Sequence, residues 1–125
     1  MTPDTSTFFT SPLYPAKYPS NQYCAWRIQL ANGTGHFLVT VYNLYLQAGN
    51  DFLRIGEGSE ISNNSTVISI NYFTFPSTVS VPAPWMWILF TSDAVTRSGS
   101  GFFIRVDAVA SQTGTFVLKF IEFRL

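Results

Sequence analysis

Apolar residues in this chain recur at every second position, in short runs cut off by Gly, Pro, Asn and Ser. Cys24, Trp26, Ile28 and Leu30 share one parity and Ala25, Arg27 and Gln29 the other; Phe37, Val39 and Val41 repeat the pattern. A period of two sends alternate side chains to opposite faces of a strand. The runs predict strands over 7–9, 23–30, 36–44, 51–56, 66–75, 77–81, 85–92, 101–109 and 114–123. No stretch sustains the three-and-four spacing of an amphipathic helix, and Ala, Leu, Glu and Lys are sparse. Half-buried strands need a facing sheet, and without helical crossovers they pair mainly antiparallel. The expected fold class is therefore all-β: a two-sheet, mainly antiparallel β-sandwich. Trp26, Ile28, Val39, Val41, Trp87, Leu89 and Phe103 are expected in its core.

The punctuation agrees. Asn32-Gly33-Thr34-Gly35 and Gly99-Ser100-Gly101 supply residues that tolerate positive φ between strands. Pro12, Pro15 and Pro19 keep residues 11–20 out of any central strand, because proline cannot donate to the ladder.

Composition narrows the function classes. The chain has 125 residues, enough for one core, and at 46% hydrophobic it is too apolar for a disordered segment. Only 11% of residues are charged, against roughly 25% in ordinary soluble domains, so uncharged polar groups or a neighbour must cover the surface. The formal net charge is zero and the seven Lys and Arg are scattered. Without a basic stripe, nucleic acid is not an expected partner. The most apolar run, 85–90, is far shorter than the roughly 20 residues of a spanning helix, so no membrane insertion of this segment is expected. The N-terminus lacks the basic and apolar regions of a signal peptide. Its reading is a fragment of something larger, with a mature chain carrying an added Met as the alternative. Residues 1–7 read as an N-terminal extension or remnant, 8–109 as the domain, and 110–125 as a C-terminal extension, either an extra strand or the start of a next region. Sequons at Asn32, Asn63 and Asn64 fall in turn regions and favour a secreted protein or the extracellular part of a membrane protein; ordinary Asn-rich turns are the bland alternative.

Five ordered segments carry a family resemblance. Residues 11–19, Ser-Pro-Leu-Tyr-Pro-Ala-Lys-Tyr-Pro, are similar to the S-P-N-Y-P-x-x-Y-P opening of CUB domains, the spermadhesin-type sandwiches. Asn21 to Ile28 resembles their N-x-x-C-x-W-x-I strand, and 43–47 stands where the family has D-F-D-L-E. Asp51 to Gly58 resembles Y-D-Y-L-x-I-x-D-G, and Phe90 to Asp93 followed by Gly101-Phe102 resembles F-x-S-D and G-F. The resemblance implies a jelly-roll-like sandwich of two antiparallel sheets, serving as a non-catalytic interaction module of extracellular proteins. Most CUB domains carry four cysteines in two bridges, whereas this chain has Cys24 alone, at the second family position. The third position falls near Ala48 and the fourth around Asn71 to Phe73, and neither holds a cysteine.

A subset of the family binds one Ca²⁺ through a Glu, two Asp, backbone carbonyl and water, with a Tyr supporting the carboxylates. The matched positions are Asp51 and Asp93 for the two Asp, Tyr18 for the Tyr, and Gln47 in place of the Glu. The resemblance thus implies a weak calcium site, because lost ligand charge lowers affinity; turn-capping and loop roles for Asp51 and Asp93 compete with it. No other cofactor is expected. His36 is the single histidine and lacks companions for a transition-metal site. Cys24 has no activating neighbour in its motif and reads as an inert core residue. Ser92-Asp93 has no histidine to complete a triad, and no enzyme is expected. Trp85, Trp87 and Phe90, with Tyr42 and Tyr45, read first as core and second as a sugar-stacking platform. The expected partner is a protein ligand or a neighbouring domain, and the alternative is a glycan bound by exposed aromatics. A coat-type sandwich assembling through its low-charge surface is a more distant option.

Overall fold

A computed structural model describes residues 6–16, 18–31, 35–46, 51–70, 78–82, 84–94, 101–110 and 117–124, the last segment as backbone. The strands are β1 (Ser6–Thr10), β2 (Tyr23–Ala31), β3 (Gly35–Tyr45), β4 (Phe52–Glu57), β5 (Thr66–Ile70), β6 (Thr78–Pro82), β7 (Trp85–Thr91), β8 (Gly101–Ala110) and β9 (Val117–Arg124). One 3-10 turn, Asn63–Ser65, precedes β5, with Ser62 as its N-cap. They form a four-stranded sheet, β1-β8-β3-β6, and a five-stranded sheet, β5-β4-β7-β2-β9. Every described pairing is antiparallel. The expected run over 66–75 is seen as β5; its remainder lies outside the described residues.

The core fills the space between the sheets. From β2 come Cys24, Trp26, Ile28 and Leu30; from β3, Phe37, Val39 and Val41; from β7, Met86, Ile88 and Phe90; from β8, Phe102, Ile104 and Val106. These are the alternate positions of each strand, as the period of two requires. Trp26 ties the layers together: its ring meets Phe9 of β1 at 5.5 Å and Phe102 of β8 at 6.1 Å, both edge-on.

One expected core position needs correction. Phe103 faces outward and is half-buried, because the adjacent inward positions of β8 are Phe102 and Ile104. Trp87 and Leu89 are buried as expected, in a second core cluster on the outer face of the five-stranded sheet with Ala25, Tyr23 and Ile61. The apolar run 85–90 is buried on both faces, so its composition could not reveal which parity turns inward. Trp87 lies against Gly56 of the neighbouring strand, and its indole Nε1 donates to Ser65 Oγ at 3.1 Å. A Cβ at Gly56 would lie 2.0 Å from two carbons of that ring. We expect Gly56→Ala to destabilise the domain by about 1–3 kcal/mol through overpacking, read as a lower midpoint in urea. An unchanged midpoint would mean that the ring yields without cost.

One irregularity shapes the opposite face. The pairing of β3 with β8 shifts register between Val41 and Asn43. A bulge of this kind inserts one extra residue and re-aims the side chains after it. Strict alternation beyond Val41 would turn Asn43 inward and Leu44 outward. Instead Tyr42 and Asn43 are both exposed, while Leu44 and Leu46 return to the core.

Candidate functional site

The prolines of 11–20 make a connection that folds over one end of the sandwich rather than extending a sheet. Its first residue, the buried Ser11, is pinned to β8: Ser11 N donates to the Phe102 carbonyl at 3.2 Å and Phe102 N donates to Ser11 Oγ at 3.1 Å. The adjacent Gly101 has φ of 93°, and a Cβ there would lie 1.7 Å from Ser11 Oγ, so glycine is required twice over. The far end is latched to the residues after β7. Asn21 N donates to the Asp93 carbonyl at 2.7 Å, Gln22 N to Ser92 Oγ at 2.8 Å, and Ser92 Oγ to the Pro19 carbonyl at 2.9 Å. Asn21 takes a left-handed φ of 56°, which asparagine tolerates better than most residues.

These two anchors drive Tyr18 into the interior, edge-on to Phe90 at 5.2 Å. Its hydroxyl donates to Asp51 Oδ2 at 2.5 Å. The other oxygen, Oδ1, accepts from Asp93 N at 2.8 Å. Asp51 stands immediately before β4 and is only 1% exposed. The proline loop, the approach to β4 and the exit of β7 therefore converge on one carboxylate. Among the described residues no Lys or Arg pairs with it; the one ion pair there is Arg105 with Asp107, at 3.0 Å. A buried charge without a cationic partner is costly, and each carboxylate oxygen keeps lone-pair capacity beyond the bond it already accepts. The donor chemistry suits a hard cation.

Of the expected calcium set, the structure brings Tyr18, Asp51 and Asp93 together, while Gln47 lies outside the described residues. Among the described residues no three His, Cys, Asp or Glu side chains converge. His36 is half-buried in β3, opposite Pro82 and Val109, and Cys24 is fully buried in β2. Asn63 and Asn64 are exposed on the 3-10 turn; Asn32 lies outside the described residues. The five aromatics divide among separate environments. Phe90 is in the main core, Trp87 in the outer cluster, Trp85 is half-buried, and Tyr42 and Tyr45 are exposed. They do not form one platform. Ser11, Asn21 and Ser92 stand in the matched motifs, but their role as latches escaped the sequence reading, although a Ser or Asn beside proline or directly after an apolar run is a turn signal that could have found it.

Together these features define a two-sheet antiparallel β-sandwich domain whose proline loop is tied to a buried aspartate at one end. The chain belongs to the CUB domain family, whose profile matches residues 2–106. Domains of this family are non-enzymatic interaction modules of extracellular proteins. Human cubilin is 37% identical over 106 residues, covering 78% of this chain and 3% of cubilin. The chain thus spans a small part of the length of that relative. The CUB1-EGF-CUB2 region of human MASP-1/3 superposes with a TM-score of 0.71 at 20% identity, over 85% of this chain and 42% of that one. The MASP-1 CUB2 domain bound to Ca²⁺ superposes with a TM-score of 0.66 at 22% identity, over 83% and 93%. At these identities the solved structures speak to the fold alone.

Proposed function

We propose that this domain is a non-catalytic protein-recognition module within a larger secreted or membrane-anchored extracellular protein, and that its Asp51 end holds a weakly bound calcium ion. The observation that carries the calcium reading is the buried Asp51 carboxylate, oriented by Tyr18 and the Asp93 backbone and lacking a cationic partner among the described residues. Asp51, Asp93 and Gln47 are the ligand residues, with Tyr18 in support. The solved MASP-1 CUB2 domain with Ca²⁺ supports the same reading. The ion would neutralise the acidic loops and order them for a protein ligand. In that setting Asn32, Asn63 and Asn64 are glycan acceptors.

Gln47 contributes a neutral oxygen where a third carboxylate would give stronger binding, so the native site is weak, with a dissociation constant of roughly 10⁻⁴–10⁻³ M. A ligand specific to the folded state raises stability by mass action. Melting in chelator and in millimolar calcium should show little or no difference for the native chain and a clear calcium-dependent rise for Gln47→Glu. No calcium response in Gln47→Glu would dismiss the site. A large response in the native chain would show that the neutral ligand costs little.

A further inference from the structure

Two glycan-acceptor sequons overlap between β4 and β5: Asn63-Asn64-Ser65 and Asn64-Ser65-Thr66. Both asparagines lie exposed on the 3-10 turn that Ser62 caps. Each depends on the hydroxyl two residues further on, Asn63 on that of Ser65 and Asn64 on that of Thr66. The fold holds these two hydroxyls differently. Ser65 Oγ accepts from the indole Nε1 of Trp87 at 3.1 Å and donates to the Glu60 carbonyl at 3.0 Å, while Ser65 N donates to Ser62 Oγ at 3.2 Å. Trp87 is 1% exposed and belongs to the outer cluster with Leu89 and Ala25. Thr66 Oγ1 donates to the Ser62 carbonyl at 3.0 Å, in an exposed bond.

Those partners set how readily each sequon opens. A transferase must hold the hydroxyl of the sequon it modifies, so that hydroxyl has to leave the bonds it makes in the fold. Drawing Ser65 out strands the Trp87 N–H against an apolar cluster, and a buried donor left unpaired is costly. Drawing Thr66 out exchanges an exposed bond for one to water or to the enzyme, and the Ser62 carbonyl still accepts from Ser65 N at 3.3 Å. Once Trp87 has docked, Asn64 is therefore an open acceptor and Asn63 a closed one. Trp87 follows Ser65 by 22 residues, a delay of roughly 1–4 s at ribosomal speed, so the lock becomes available within seconds of the sequons emerging. The two asparagines also exclude each other. Consecutive Cα atoms are only about 3.8 Å apart, too close for two bulky glycans.

We infer that this turn carries a single N-linked glycan, on Asn64, and that the Trp87–Ser65 bond is what closes Asn63. The assignment rests on the extracellular reading and deepens its glycan sites. In the transfer, Asn64 Nδ2 attacks the anomeric carbon of an oligosaccharide carried on a lipid diphosphate. The N–C bond forms, the C–O bond to the diphosphate breaks, the diphosphate leaves with that electron pair, and one amide proton goes to a base of the transferase. The test is secretion of the full chain from mammalian cells behind a cleavable signal peptide. Enzymatic deglycosylation, which leaves Asp where a glycan stood, is followed by fragment mass mapping. Asn64 should be occupied roughly tenfold or more over Asn63. Asn63→Gln should keep the glycan. Asn64→Gln, which leaves the Asn63 sequon and the Ser65 bonds intact, should leave the turn largely bare, with its urea midpoint checked against the parent. Adding Trp87→Phe to Asn64→Gln removes the indole donor and should bring a glycan to Asn63; the Asn64→Gln result decides alone if that double variant is not secreted. Full occupancy of Asn63 in Asn64→Gln, loss of the glycan in Asn63→Gln, or glycans on both residues of one molecule would overturn the inference. So would a secreted double variant whose turn stays bare. A glycan on Asn32 with a bare turn in the parent would overturn it and leave the extracellular reading standing. No glycan on Asn32, Asn63 or Asn64 in any variant would remove the glycan sites altogether, and this inference with them.

Discussion

Asp51→Ala should lower the unfolding free energy of the domain by roughly 2–5 kcal/mol, since each buried donor left unpaired costs about 1–3 kcal/mol. Two donors lose their carboxylate acceptor: the Tyr18 hydroxyl, which is buried, and the Asp93 N–H. The proline loop and the β7 exit lose their common anchor, although the Ser92 latch to Gln22 and Pro19 remains. Asp51→Asn should cost less, because its amide oxygen can still accept from Asp93 N–H and the Tyr18 hydroxyl can rotate to accept from its NH₂. Urea unfolding of the parent and both variants in chelator measures this without any contribution from calcium. If Asp51→Ala and Asp51→Asn lost the same small amount, under about 1 kcal/mol, the carboxylate would hold nothing together and the site would lack the rigidity that metal binding needs.

Trp26→Ala should be as damaging, at about 3–5 kcal/mol, the usual range for a buried large aromatic. Trp26 is 3% exposed and stands on β2, the strand between β7 and β9, while both of its ring partners, Phe9 and Phe102, belong to the other sheet. Edge-on pairs add to simple area burial, so Trp26→Leu should also lose stability, though less. Near-ultraviolet circular dichroism should fall along with the denaturation midpoint. A Trp26→Ala protein with an unaltered midpoint would mean that the sheets are held apart from this contact by other side chains.

Much of the fold was legible because one-sided strands announce their face. Cys24 to Leu30 alternates cleanly, and its inward set is the one the pattern predicts. Trp85 to Phe90 does not alternate, because Trp87 and Leu89 meet a second apolar layer formed by Tyr23 and Ile61; hydrophobicity alone cannot say which side of such a strand is the interior. The bulge at Tyr42 was hidden for another reason. It depends on pairing with a strand some 60 residues further on, and a period counted along one strand cannot detect an extra residue that only its partner defines. At the candidate site the matched residues Tyr18, Asp51 and Asp93 do meet. What the sequence left open was who binds whom: it is the Asp93 backbone N–H that donates to Asp51, and Ser92 closes the loop beside it.

The strand order carries a consequence for biosynthesis. Among the described residues β1 has a single neighbour, β8, and Ser6 stands opposite Asp107. A ribosome adds about 5–20 residues per second, so Phe8 and Phe9 emerge roughly 5–20 seconds before the strand that pairs with them exists. Over that interval an unpaired apolar strand is open to any passing edge. Chaperones that recognise short extended apolar segments therefore have a defined target here, Ser6–Thr10, and a defined moment of release, the arrival of β8.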